Sequence, residues 1–103
     1  MDIQDAYDWN QLLKGDKVAF EKLYFRYINA LYAYGVRLCR HETLVEDCLQ
    51  DLFSNLWEKR RKLGPITSVK AYLFVSVKRR ILRKLTCEQR RNTEELRDLA
   101  AEW

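Results

Sequence analysis

Few side chains in this sequence of 103 residues could carry catalysis or hold a metal ion. His41 is the only histidine, which excludes a Ser–His–Asp triad and any site built from several histidines. Cys39, His41 and Cys48 lack the spacing of a familiar zinc site. Asp47 and Asp51 have no partner acid or histidine for acid–base catalysis, and no glycine-rich phosphate loop occurs. The sequence therefore predicts no enzyme, no cofactor and no metal site.

Basic residues are concentrated in one part of the chain. Residues 59–91 contain 12 Lys and Arg against a single acidic residue, whereas residues 1–58 contain 6 against 10 and residues 92–103 contain 1 against 4. A block with a net charge of +11 favours a polyanionic partner, and nucleic acid is the first candidate. The alternative is a solvated helix face on which the cations contact only water.

The composition predicts one small soluble domain of the cytoplasm. Its 103 residues, 48% hydrophobic and 13% aromatic, suffice for one compact core and exclude general disorder. No apolar run approaches the roughly 18–20 residues that span a bilayer, so membrane insertion is not predicted. The acidic residues 1–5 do not resemble a signal peptide. Three cysteines without a CxxC pair indicate a reducing compartment rather than a disulfide framework.

The elements that must position any functional side chain are all helices. Hydrophobic residues recur at intervals of three and four, and no alternating stretch of strand type occurs. The predicted helices cover residues 5–14, 16–40, 43–61 and 69–85, and residues beyond 87 extend the last helix or fray. The expected fold is all-α, a compact bundle of three long helices plus a short N-terminal helix.

Three of the predicted helices begin at a residue that can cap them. Asp16 precedes the second helix, directly after the break at Gly15. Thr43 and Glu46 match the capping box, in which each side chain satisfies an unpaired backbone N–H of the third helix. For the fourth helix the predicted cap is Thr67 or Ser68, just after the Gly64–Pro65 break.

The second helix carries two apolar stripes. The stronger stripe contains Phe20, Leu23, Tyr24, Tyr27, Leu31, Tyr34 and Leu38. A weaker stripe of Phe25, Tyr32 and Val36 lies on another side, which is the predicted docking side for the first helix. Gly35 costs about 1 kcal/mol against Ala inside a helix, so close approach of a neighbouring helix is the expected reason for it.

One flank of the third helix is acidic and polar, with two large aromatics beside it. On a helical wheel this flank contains Asp47, Gln50, Asp51, Ser54 and Glu58. Phe53 and Trp57 lie at the edge of the core stripe formed by Val45, Cys48, Leu49, Leu52 and Leu56. This combination is typical of the rim and anchors of a protein interface. The alternative is a solvated face with both aromatics packed under neighbouring helices.

The fourth helix carries a cationic face opposite its apolar stripe of Leu73, Phe74, Val77, Ile81 and Leu85. That face contains Tyr72, Val75, Ser76, Arg79 and Arg83, flanked by Lys78, Arg80 and Lys84 and preceded by the basic residues 59–62. Such a surface suits phosphates along a groove and exposed bases. Arg79 and Arg83 are expected to point outward together. The alternative is that they pair with acids of the tail, residues 88–102, and contact no DNA.

Three segments resemble region 2 of an RNA polymerase sigma factor of the extracytoplasmic-function (ECF) type, within the sigma-70 family. Residues 15–24, GDKVAFEKLY, resemble the opening of that region. Residues 45–57, VEDCLQDLFSNLW, resemble its D-x-x-Q-(D/E)-x-F…W core-binding helix. Residues 69–77, VKAYLFVSV, resemble the start of its promoter-reading helix. The similarity covers roughly residues 5–86, and three motifs in the family's order make it specific.

The resemblance implies a transcription initiation factor domain without catalysis, over residues 1–86. The third helix would dock on the clamp helices of the largest subunit of core RNA polymerase through Asp47, Gln50, Asp51, Phe53 and Trp57. The following loop and helix would recognise the promoter −10 element, help to melt it and capture a base of the single-stranded non-template strand. The implied DNA-binding residues are Arg60, Arg61, Lys62, Lys70, Tyr72, Ser76, Arg79, Arg80 and Arg83. An anti-sigma factor is a further candidate partner.

Two departures from the family pattern limit what the resemblance carries over. The family's promoter helix usually has Asn and Asp at the positions of Arg79 and Arg83, so the usual base preference is not transferred, although DNA binding is. The family's C-terminal helix-turn-helix domain has no counterpart, and residues 87–103 correspond to a polar helical extension or the start of an interdomain linker. The chain is then either a fragment or a one-domain relative.

Two other functions are compatible with part of the sequence. A general helical DNA-binding regulator would share the basic helix and would not need the acidic flank between Asp47 and Trp57. A protein-binding adaptor would need that flank and not the basic block. Sigma region 2 requires both, which favours it.

Overall fold

The computed structural model describes the backbone of residues 2–101 and the side chains of residues 2–87. Its helices are α1 (Ile3–Leu13), α2 (Lys17–Cys39), α3 (Glu42–Glu58) and α4 (Val69–Ala101), with a 3-10 turn at Arg60–Lys62 between the last two. No strand occurs within the described residues. The predicted all-α bundle of three long helices and a short one is confirmed. α4 is continuous through residue 87, where the predicted domain boundary lies.

Two of the predicted caps are confirmed. Asp16 Oδ1 accepts hydrogen bonds from the backbone N–H groups of Val18 and Ala19, at 3.0 and 3.3 Å, which satisfies two free donors of α2. Gly15 precedes it with φ +93°, a left-handed conformation that glycine adopts without steric cost. At α4, Ser68 Oγ accepts from the N–H of Ala71 at 3.2 Å.

The predicted capping box of α3 is wrong. The side chain that caps α3 is His41, whose Nδ1 accepts from the N–H of Leu44 at 3.1 Å. Arg40 ends α2 in the left-handed conformation, with φ 53°, and reverses the chain within two residues. α3 therefore begins at Glu42, and Thr43 already lies inside the helix. The end of α3 also differs, because the 3-10 turn replaces its predicted last residues.

The core lies between α2, α3 and α4, and α1 packs against α2 and the start of α4. The predicted stripe of α3 is fully buried, as are Leu73, Val77 and Ile81 of α4. Gly35 lies where α2 approaches the other two long helices. A Cβ atom at Gly35 would lie 2.6 Å from Val45 Cγ1 and 3.1 Å from Ile81 Cδ1, so the predicted close approach is confirmed.

The prediction for the weaker stripe of α2 is wrong at Phe25, whose side chain is 70% exposed. Leu38, at the end of the stronger stripe, is also exposed. α1 docks through buried Trp9 and Leu12 and, in addition, through a polar cluster, in which Arg26 forms ion pairs with Asp5 and Asp8, and Tyr27 Oη donates to Asp5 Oδ2. Apolar periodicity could not show the polar part of this contact because charged side chains make it.

Candidate functional site

The acidic flank of α3 forms an exposed surface, here named the acidic ridge. It consists of Asp47, Gln50, Asp51, Ser54 and Glu58, all of which are exposed as predicted. On the side towards α4, Asp51 Oδ2 lies 3.3 Å from Lys84 Nζ. Both side chains of this pair are well solvated, so the pair contributes little to stability and leaves the Asp51 carboxylate accessible.

A groove of about 720 Å³ runs between α2 and α3 on the other side of the acidic ridge. Its walls are mostly aromatic and aliphatic, and its rim is polar. It is lined by Phe20, Tyr24, Ile28, Asn29, Tyr32, Glu46, Leu49, Gln50, Phe53, Ser54, Trp57 and Glu58. Burial, together with the nearby carboxylates of Glu42 and Glu46, raises the pKa of Tyr32. This feature is named the aromatic groove.

Phe53 and Trp57 differ in what they offer to a partner. Phe53 is only 4% exposed, and its ring packs edge-on against Tyr24 and Phe20 at centroid distances of 4.9 and 6.2 Å. Trp57 is half-buried, with the Phe20 ring 5.3 Å away and the Arg60 guanidinium 4.0 Å over its own ring. Phe53 thus holds α3 in place, whereas Trp57 presents part of its surface in the aromatic groove.

Arg60, one of the predicted DNA-binding residues, is engaged within the fold. Its Nη1 donates to the backbone carbonyl of Trp57 at 2.7 Å, and its Nε is buried without a hydrogen-bond partner. The guanidinium stacks on the Trp57 indole, and together with the hydrogen bond from Nη1 this fixes the start of the 3-10 turn. The other predicted cations of this segment, Arg61, Lys62 and Lys70, are exposed.

The outer side of α4 forms a second exposed surface, here named the cationic face. Arg79 and Arg83 are both exposed and line one shallow patch with Leu82, Thr86 and Cys87, so they point outward together. Ser76 and Arg80 are half-buried at its edge. Within residues 2–87 neither Arg79 nor Arg83 has an ion-pair partner. The alternative prediction, that Arg79 and Arg83 pair with acids of residues 88–102, involves side chains that lie outside the described residues.

Tyr72 is less free than the sequence suggested, because it is half-buried against α1. The Tyr72 and Trp9 rings meet edge to face, with centroids 5.3 Å apart. Trp9 Nε1 also donates to the backbone carbonyl of Gly64 at 3.0 Å. Trp9 and Gly64 lie 55 positions apart in the sequence, so helical periodicity carries no information about their contact.

The cysteines and His41 show no arrangement for metal binding. Cys39, Cys48 and Cys87 are free thiols, and burial raises the pKa of the Cys48 thiol, which keeps it protonated. Nowhere in the described part of the chain do three His, Cys, Asp or Glu side chains form a group that could hold a metal ion. None of the described helices combines the length and the hydropathy that crossing a bilayer requires.

Comparison with known proteins adds one match. A family model described as Sigma-70 region 2 matches residues 23–91, about two thirds of the chain. The matched span contains the acidic ridge, the 3-10 turn and the cationic face, and it leaves out α1. The match is to region 2 as a whole, and the ECF subclass stays a prediction from the motifs. No curated protein and no solved structure matches the chain.

The fold, the two exposed surfaces and the family match agree with one another. The family is one of transcription initiation factors and not of enzymes. The chain therefore belongs to the sigma-70 region 2 family and is a sigma factor domain of transcription initiation.

Proposed function

We propose that this domain binds core RNA polymerase through α3 and promoter −10 DNA through the 3-10 turn, the following loop and α4. The observation that carries the proposal is the presence of two separate exposed surfaces of opposite charge. The acidic ridge with the aromatic groove suits a basic, partly apolar protein partner, whereas the cationic face suits a polyanion. An adaptor or a simple DNA-binding protein would need only one of these surfaces.

For polymerase we propose docking on the clamp helices of the largest subunit. Asp47, Gln50 and Asp51 are exposed on the acidic ridge and can make direct polar contacts. Trp57 contributes the part of its ring that lies in the aromatic groove, which an apolar side chain of the partner would enter. Phe53 acts indirectly, because its burial against α2 fixes the angle at which α3 is presented.

For DNA we propose that the cations bind phosphates while the loop and α4 hold an unstacked base of the non-template strand. Arg61, Lys62, Lys70, Arg79 and Arg83 are exposed and suited to phosphate contacts. Tyr72, Ser76 and Arg80 are half-buried beside them and suited to contacts with a base or sugar. Unstacking a base costs a few kcal/mol, which stacking and phosphate contacts offset. Arg60 supports the turn from inside.

We propose that the domain is cytoplasmic, because polymerase and promoter DNA are found there. An anti-sigma factor is a proposed additional partner, because a protein that covered the acidic ridge and the aromatic groove would compete directly with polymerase. In the ECF-type pattern, Asn and Asp usually stand at the positions of Arg79 and Arg83. Two cations there favour phosphate contacts over the usual base preference.

The experiment that tests the polymerase contact is a pull-down and titration with core RNA polymerase and with its isolated clamp helices. Asp47→Lys and Asp51→Lys should each weaken binding about 5- to 100-fold, the range expected for interface anchors. Asn10→Lys on the exposed side of α1 is the control for added charge and should bind like the unaltered protein. Absence of binding by the unaltered domain would overturn the polymerase assignment. DNA binding without polymerase binding would favour a simple DNA-binding regulator.

A further inference from the structure

α1 lies outside the residues that match the sigma-70 region 2 family, yet it contacts the proposed DNA-binding segment. The match begins at residue 23, and α1 ends at Leu13. Trp9 extends from α1 to two places in that segment, the carbonyl of Gly64 and the ring of Tyr72. α1 therefore touches both the loop that precedes α4 and the first turn of α4 itself.

Trp9 is held rigidly enough to position what it contacts. Its side chain is 1% exposed and belongs to the main core cluster together with Leu12. Arg26 fixes the same helix, since its guanidinium bridges Asp5 and Asp8, with Nη2 2.7 Å from Asp8 Oδ2. Helix α1 is thus anchored on both sides of Trp9 along its length.

The loop of residues 63–68 has few other restraints. Within residues 2–87, the hydrogen bond from Trp9 Nε1 is the only one that reaches residues 64–67. Leu63 and Ile66 pack partly into the core, whereas Gly64 and Pro65 are exposed. The ends of the loop have hydrogen bonds of their own, because Leu63 N–H donates to the Arg60 carbonyl at 3.3 Å and Ser68 caps α4. Residues 64–67 between them depend strongly on the Trp9 hydrogen bond for a single conformation.

We propose that Trp9 is a positioning residue for the DNA strand. Its indole N–H fixes the loop of residues 63–68, and its ring fixes Tyr72, so that the surface that receives the unstacked strand is preformed before DNA binds. Preorganisation matters because ordering the backbone of the loop at the moment of binding would cost conformational entropy and weaken the complex. This inference rests on the proposed DNA-binding function and adds α1 to its machinery.

The test compares Trp9→Phe, which keeps an aromatic ring and removes the N–H donor, with Leu31→Val, which trims a fully buried residue of the same core cluster on α2. Binding of a short fluorescent single-stranded DNA of randomised sequence is measured by anisotropy. We expect Trp9→Phe to weaken it about three- to tenfold. Leu31→Val should leave DNA affinity unchanged even though it lowers the melting temperature. Both variants should bind the clamp helices like the unaltered domain.

A second measurement on the unaltered protein does not depend on how the variants fold. The indole N–H resonance of Trp9 is identified by elimination with Trp57→Phe and Trp103→Phe, and should shift when the single-stranded DNA is added. An unshifted resonance, or equal losses of DNA affinity in Trp9→Phe and Leu31→Val, would overturn the positioning role. Failure of the unaltered domain to bind DNA would instead overturn the proposed function itself.

Discussion

Arg26 shows how single residues attach α1 to the rest of the molecule. Its guanidinium pairs with Asp5 and Asp8, whose side chains are 4% and 1% exposed. The hydrogen bond to Asp8, which outweighs the cost of desolvation, raises the pKa of the Arg26 guanidinium and keeps it charged. Removing one partner of a buried ion pair leaves the other charge uncompensated, so this side chain matters more than a surface arginine.

We predict that Arg26→Met lowers the free energy of unfolding by about 2–4 kcal/mol, because two buried carboxylates lose their cation. Arg37→Met is the matched control, since Arg37 lies on the exposed side of the same helix and has no carboxylate partner within residues 2–87. Urea unfolding followed by circular dichroism measures both variants. Equal stability of the two would show that the ion pairs do not anchor α1.

Tyr27 makes the stability of the fold decrease at alkaline pH. Burial, and secondarily its hydrogen bond to Asp5, raise the pKa of Tyr27 from about 10 to about 12. A raised pKa in the folded state means that the native protein keeps this proton after the unfolded chain has lost it. The contribution to stability is therefore complete below about pH 10 and is lost as the pH rises to about 12.

We predict that replacing Tyr27 by Phe makes the decline in stability between about pH 10 and 12 shallower, because the proton-linked part is removed. Tyr7→Phe, at an exposed tyrosine of α1, should leave the decline unchanged. Melting temperatures across this pH range measure the effect, and tyrosinate absorbance follows the ionisation. Parallel curves for the unaltered protein and Tyr27→Phe would contradict the prediction.

At the scale of elements, α3 contributes to the core, to the acidic ridge and to the aromatic groove at once. One side of the helix is buried among α2 and α4 through Val45, Cys48 and Leu52. The opposite side carries the acidic ridge, and the side towards α2 forms one wall of the aromatic groove. Any shift of α3 against its neighbours therefore changes the shape of the groove and the placement of the ridge.

Gly35 sets the distance between α2 and the other long helices. We predict that Gly35→Ala destabilises the fold by about 1–2 kcal/mol, because overpacking of about 1–3 kcal/mol exceeds the helix-propensity gain of up to 1 kcal/mol. A Cβ atom would lie 2.6 Å from the methyl group of buried Val45, which is short and β-branched and cannot swing away. Thermal unfolding measures the change. Unaltered or increased stability would show that α2 and α3 separate without cost.

Gly64→Ala is the matched control for Gly35→Ala. Nothing lies within 4 Å of a Cβ atom at Gly64, so the added methyl group meets no neighbour. We expect this variant to be as stable as the unaltered protein or slightly more stable, because alanine restricts the unfolded chain. A loss comparable to that of Gly35→Ala would mean that the close approach at Gly35 is not the cause.

At the scale of the whole molecule, the charge distribution separates the two proposed binding surfaces, so mutations should affect polymerase binding and DNA binding independently. We predict that the double variant of Arg79→Ala and Arg83→Ala flattens the slope of log DNA affinity against log salt by about 1–2 units, because each phosphate contact contributes roughly 0.7–0.9. Binding of the clamp helices should not change. Anisotropy titrations with single-stranded and forked DNA at several salt concentrations provide the measurement.

Lys17→Ala with Lys22→Ala is the control for this double variant, because it removes the same charge from exposed positions of α2. It should leave the salt slope nearly unchanged. An unaltered slope and affinity after replacing Arg79 and Arg83 would remove both from the DNA-binding surface. A loss confined to one base position would instead indicate that one of them reads a guanine edge.

The sequence by itself determined the helices, the core stripes of α3 and α4, and the faces that stay exposed. These features are local, since a period of 3.6 residues and caps such as Asp16 and Ser68 depend on neighbours within a few positions. The acidic ridge and the paired outward direction of Arg79 and Arg83 were predictable for the same reason.

Only the tertiary structure decided which helices meet and which side chains lose their freedom in doing so. Part of the α1 contact is made by charged residues that no apolar pattern marks, and His41 replaces the predicted capping box because the chain reverses at Arg40. Phe53 is buried, Arg60 is turned inward onto Trp57, and Trp9 reaches Gly64 across the fold. These contacts join residues distant in sequence or depend on where the chain turns, and helical periodicity carries no information about them.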